Sequence, residues 1–84
     1  MDARRKKLLY QSQHCGMKEN DVLLGQFAAV HMAELSEDEL DLFEGLLLES
    51  DLDLYSWIIG REPVPERVDN SLMAAIITYN ASKA

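Results

Sequence analysis

His14 and Cys15 are adjacent, and both residue types do nucleophilic or metal-ligand chemistry; Glu19 lies just beyond a glycine, Gly16. A cysteine–histidine pair works when the imidazole is held toward the sulfur and oriented by a third group. Neighbouring residues on a helix diverge by about 100°, so His14 and Cys15 do not face each other there. His31 is the second of two histidines and Cys15 the single cysteine. Three possible ligands without ligand spacing do not make a zinc site. The carboxylates of Glu37, Asp38 and Glu39 read as a capping turn and a solvated face, not as a general acid and base. What remains is the segment His14-Cys15-Gly16-Met17-Lys18-Glu19. Gly16 is expected to end a helix without strain in the left-handed conformation, which exposes backbone next to the Glu19 carboxylate. The chemistry available to such a corner is recognition. A domain this small has little concave volume in which to desolvate a substrate. A binding module is expected, not an enzyme.

Five helices are expected to position that corner. Asp2 caps a first helix running to about His14, rich in good helix formers. A second helix covers roughly Met17 to Ala33, with Leu23, Phe27 and Val30 on its buried face and Leu24, Ala28 and His31 alongside. Glu19 and Asp21 sit in its first turns, where the helix dipole favours anions. Ser36-Glu37-Asp38-Glu39 is a capping box, and Leu35 with Leu40 forms a hydrophobic staple at the start of the third helix. Leu40, Phe43 and Leu47 continue the apolar stripe. The fourth helix follows Ser50 or Asp51, carries Leu54, Trp57 and Ile58 into the core, and stops at Gly60. After a linker from Arg61 to Pro65, Pro65 suits the first turn of a fifth helix. That helix runs to about Asn80 with Val68, Leu72, Ile76 and Tyr79 in register, and residues 80–84 are expected to fray. The fold class is therefore all-α: one compact five-helix bundle spanning residues 1–84.

Composition narrows the function. The 84 residues hold four glycines and two prolines, too little punctuation for an all-β domain. With a single cysteine there is no internal disulfide, so helix packing must carry the fold. The opening charges are followed by too few apolar residues for a secretory leader, and no apolar run approaches a membrane span. A cytoplasmic location in a bacterium is the expectation, without membrane insertion. The net charge of −7 excludes general nucleic-acid affinity. The basic residues cluster at Arg4, Arg5, Lys6, Lys7 and Lys18, whereas Glu34 to Asp53 holds nine acids and no base. The basic end either meets an acidic partner or lies against the acidic middle of the same chain.

These residues resemble a known family. Gly16-Met17-Lys18-Glu19 is similar to the Gly-x-x-Glu core of the RGxxE motif of the small flavinylation assembly factors, the bacterial SdhE proteins and the mitochondrial succinate dehydrogenase assembly factor 2 proteins. The resemblance continues in order through Leu35-Ser36-Glu37-Asp38-Glu39-Leu40, through Phe43 to Leu48, and through the Asp-x-Asp-Leu-x-x-Trp signature from Asp51 to Trp57. It implies a five-helix bundle that promotes covalent attachment of FAD to the flavoprotein subunit of succinate dehydrogenase, and of fumarate reductase as a further client. On that resemblance the chain holds no cofactor stably, the partner carries the FAD, and the chain is monomeric when free. Gly16 would allow close backbone approach, Glu19 would supply a carboxylate, and His14, Cys15, Met17 and Lys18 would share the contact surface. The family places arginine before the glycine; here it is Cys15. Lys7, His14 or Lys18 are the residues available to replace that charge. A different reading is an acidic helical adaptor that meets a basic protein through Glu34–Asp53.

Overall fold

The first helix, α1 (Ala3–Ser12), starts where Asp2 accepts the Arg5 backbone N–H at 2.8 Å, as expected of a capping aspartate. The computed structural model describes residues 1–82. It continues with α2 (Lys18–His31), a 3-10 turn (Met32–Glu34), α3 (Glu37–Leu46), α4 (Asp51–Ile58), a second 3-10 turn (Glu66–Val68) and α5 (Ser71–Ser82). Among the described residues the architecture is all-α with five α-helices, as the sequence implies. α1 packs on α2, α2 on α4 and α5, and α3 bridges α1 and α5.

The strongest local signals form as read. Ser36 Oγ accepts the Glu39 N–H at 3.2 Å, and Glu39 Oε1 accepts the Ser36 N–H at 2.9 Å. Leu35 and Leu40 are both buried beside that cap. Gly60 has φ +83°, the left-handed value that closes a helix. The Arg61 N–H reaches back to the Ser56 carbonyl at 2.8 Å and the Gly60 N–H to that of Trp57 at 3.3 Å, satisfying two orphan carbonyls of α4. Ser50 takes the cap position of α4 but makes no side-chain cap bond.

Five boundaries or faces differ from expectation. α1 ends at Ser12, short of His14. α2 ends at His31 and tightens into the 3-10 turn, so Ala33 lies outside it. Its buried stripe is Asn20, Leu24, Phe27 and Ala28, while Val30 is 56% exposed. The cause is Gly25, which turns toward α1: a β-carbon there would stand 3.2 Å from the Ser12 carbonyl and 3.3 Å from Gln13 Cα. That close crossing rotates α2 about its axis and brings Leu24 and Ala28 inward. α5 starts at Ser71 and not beside Pro65, which precedes the second 3-10 turn. Asn70 is its cap, with Oδ1 accepting the Met73 N–H at 3.0 Å. At the far end α5 continues through Asn80 to Ser82, since Asn80 Nδ2 donates to the Leu23 and Ile76 carbonyls. The remainder of the tail expected to fray lies outside the described residues.

The core joins Leu8, Leu24, Phe27, Leu40, Phe43, Leu54, Trp57, Leu72 and Ile76. Truncating a fully buried Phe43 to alanine costs about 3–5 kcal/mol, against a total of roughly 4–13 kcal/mol for a chain of this size. Arg5 fastens α1 to the first 3-10 turn. Its Nε donates to the Met32 carbonyl at 3.1 Å and its Nη2 to the Leu35 carbonyl at 2.5 Å, while Nη1 pairs with Asp2. Arg4 turns the other way, to Asp41 at 2.5 Å with Glu44 and Glu37 at 3.6 and 3.7 Å. Part of the basic end therefore lies against the chain's own acidic helix.

Candidate functional site

The corner between α1 and α2 is built by three polar side chains. The Cys15 N–H donates to Asp21 Oδ1 at 2.5 Å, so the carboxylate of the first α2 turn holds the incoming loop. Asn20 is fully buried and donates from Nδ2 to the Asp51 carbonyl at 2.8 Å, which ties the start of α2 to the start of α4. Asp51 itself fills the space over Gly16: a β-carbon on Gly16 would collide with its Oδ2. Gly16 does not have positive φ; among the described residues Gly60 alone does. The left-handed conformation expected at Gly16 is therefore absent, and the glycine is needed for room.

Cys15 is half-buried and packs against the core. Burial, then the charges of Asp21 and Asp51, push its thiol up to about 11. Sγ donates weakly to the Ser12 and Gln11 carbonyls at 3.4 and 3.6 Å. A thiol held in its protonated form is a poor nucleophile and a poor metal ligand at neutral pH. Among the described residues no group of three His, Cys, Asp or Glu side chains is arranged to hold a metal ion.

His14 stacks on Tyr10, with ring centroids 4.0 Å apart. Its Nδ1–H donates to the Tyr10 carbonyl at 2.8 Å. His31 is elsewhere, against Phe27 and Tyr79. Gly16, Lys18 and Glu19 are exposed and Met17 is half-buried. The six residues singled out in the sequence thus share one corner, with backbone at Gly16 and the charges of Lys18 and Glu19 open to solvent.

Beside the corner lies a groove of about 600 Å³ between the end of α1 and the α3–α4 connection, lined among others by Tyr10, His14, Gly16, Leu48 and Asp51. Sequence reasoning missed Asp51, Asn20, Tyr10 and Leu48 as parts of this site. Asp51 had a signal, since the Asp-x-Asp-Leu-x-x-Trp signature begins with it, but it was read as a helix cap.

Comparison with known proteins matches residues 6–80 to the family model Sdh5, described as flavinator of succinate dehydrogenase. The chain belongs to this family. Similar members of the Sdh5 family are named succinate dehydrogenase assembly factor 2, mitochondrial. The Dictyostelium discoideum protein is 42% identical over 72 residues, covering 86% of this chain and 51% of its own length. That of Candida glabrata is 43% identical over 74 residues, covering 84% and 48%. That of Drosophila virilis is 39% identical over 72 residues, covering 83% and 46%. The chain spans about half the length of the curated Sdh5-family relatives it matches. Their mitochondrial names overturn the expectation of a bacterial cytoplasmic location. That expectation rested on a criterion for secretory leaders, which says nothing about mitochondrial targeting.

Proposed function

We infer that this protein is a mitochondrial assembly factor, not an enzyme, that binds the flavoprotein subunit of succinate dehydrogenase and promotes covalent attachment of FAD to it. The flavoprotein of fumarate reductase is a further client, and the FAD stays with the partner. The observation that carries the reading is the family match over residues 6–80. The corner supports it: Gly16 backbone and the Glu19 carboxylate stand open on a turn fixed by Asp21, Asn20 and Asp51. The chain's contribution is positioning. A rigid corner that grips the flavoprotein holds its parts so that flavin and acceptor side chain meet, which is proximity supplied by a second protein. The protonated Cys15 thiol fits a non-catalytic role.

Arg4 engages Glu37, Asp41 and Glu44, which takes three of the nine acids from Glu34 to Asp53 out of the acidic-adaptor surface. The test is co-expression of the flavoprotein subunit with and without this chain, with covalent flavin read by in-gel fluorescence. The expected result is strong fluorescence only with the chain present, reduced by Gly16→Arg or Glu19→Ala in folded protein. Equal fluorescence without the chain overturns the reading.

A further inference from the structure

The groove beside the corner has an apolar rim. Leu48 is 85% exposed and Tyr10 62%, and both line the groove. A lone exposed leucine needs no explanation, but large apolar side chains gathered around one groove mark a binding surface. The groove is also negative, since Glu44, Glu49 and Asp51 line it against Lys7. Two of these acids are already engaged, Glu44 beside Arg4 and Glu49 with Arg67 at 2.7 Å. Asp51 has neither a hydrogen bond nor an ion pair on its carboxylate among the described residues. Cys15 and Gly16 line the same groove, so it runs directly into the corner assigned to the flavoprotein.

We propose that this groove is the second half of the docking surface: it seats one segment of the flavoprotein subunit, an apolar side chain on Tyr10 and Leu48 and an adjacent arginine or lysine on Asp51. The proposal rests on the reading above that the partner is a flavoprotein subunit. Charge complementarity selects the occupant. A carboxylate without an ion pair, beside exposed apolar side chains, takes a cationic side chain, and a guanidinium pairs with it through two parallel hydrogen bonds.

The test is calorimetric titration of the flavoprotein subunit with the chain at low and physiological salt, using Leu48→Ser and Asp51→Asn. Leu48 is nearly all in water, and Asp51→Asn keeps the backbone carbonyl that holds Asn20, so both variants fold; unchanged thermal melts check this. Each is expected to weaken binding about 5–30-fold, and Asp51→Asn to flatten the salt dependence. Val30→Ser, an exposed apolar position away from the groove, is expected to bind as the unaltered chain does. If Leu48→Ser and Asp51→Asn both bind normally at both salts, or if Val30→Ser weakens binding equally, the groove proposal falls and the assembly reading stands. If the unaltered chain does not bind the flavoprotein subunit, both fall.

Discussion

The Asp51 carboxylate lies against the Cα of Gly16, in the volume that a β-carbon would fill. Gly16 is therefore tied to a residue of a different helix and not to its own backbone conformation. In Gly16→Ala the Asp51 side chain must rotate away, which costs about 0.5–1.5 kcal/mol. In an Asp51→Ala background the same change meets no obstacle. There it should be neutral or stabilise by about 0.4–1 kcal/mol, because alanine restricts the unfolded chain. Denaturant titration of the four proteins in a double-mutant cycle reads this reversal of sign. A cost for Gly16→Ala that persists without the Asp51 carboxylate would mean the backbone, not the contact, requires glycine.

Cys15 should be slow to alkylate. Its thiol is raised to about 11 by burial and by the Asp21 and Asp51 charges. At pH 7.5 the folded chain should react with iodoacetamide on the order of a hundredfold more slowly than the chain in denaturant, and the rate should keep rising with pH toward 11. The linkage has the matching sign. The unfolded thiol ionises first, so stability is flat below about pH 8.5 and falls as pH rises from there toward 11.

Arg5 should matter more than the other basic residues of α1. It alone spends its guanidinium on carbonyls, those of Met32 and Leu35, at the turn that ends α2. Arg5→Ala removes the donor to the Leu35 carbonyl and leaves the Met32 carbonyl with the Leu35 N–H alone, and should cost about 1–3 kcal/mol by urea unfolding. Arg5→Lys should not restore the loss, because a single ammonium lacks the planar fork that reaches two acceptors. Lys6→Ala, on a solvated side chain, should change stability by less than about 0.5 kcal/mol.

These relationships separate what the sequence discloses from what it hides. The capping box at Ser36 and Glu39, the Asp2 cap and the Gly60 stop were all legible, because each is a local bargain between residues a few positions apart. The face of α2 was not. Its rotation comes from the approach of Ser12 and Gln13 to Gly25, and no apolar period within α2 reports a neighbour's backbone. Pro65 was misread because its fixed φ fits the residue before a 3-10 turn as well as the first turn of an α-helix. At the corner between α1 and α2, the exposure of Gly16 and Glu19 was legible and the contact made by Asp51 was not. Its side chain reaches Gly16 across a tertiary contact, while its sequence context shows only an acid at a helix start.

Asp2 gives the fold an acid-sensitive element. The Arg5 backbone N–H above all holds its carboxyl below the usual carboxylate value; burial opposes it, and the Arg5 guanidinium adds to the lowering. A lowered folded value means stability that is present above the unfolded value near 4 and lost as pH falls through the lower, folded one. Asp2→Asn keeps a good capping side chain but cannot titrate. Melting curves from pH 6 to pH 2 should therefore decline less steeply for Asp2→Asn than for the unaltered chain, with the difference confined to the region below about pH 4.

Position 15 offers the sharpest functional substitution. The motif that this corner resembles has arginine there, and here the neighbouring carboxylates of Asp21 and Asp51 act on a thiol instead. In Cys15→Arg the guanidinium comes up beside two carboxylates, of which Asp51 is otherwise unpaired. At a partly exposed site such a pairing is worth about 0.3–1 kcal/mol, a rise in Tm of about 1–8 °C for a domain of this size that fades at high salt. An arginine paired with Asp51 takes the carboxylate proposed above for the partner's cation, whereas one left free at the rim of the exposed Gly16 backbone should raise covalent flavin in a co-expressed flavoprotein subunit. The two readouts distinguish the roles: a higher Tm with unchanged flavin yield assigns the arginine to the corner's own rigidity, whereas a higher yield at unchanged Tm assigns it to the partner. No change in either would show that a cation at position 15 reaches neither Asp51 nor the flavoprotein.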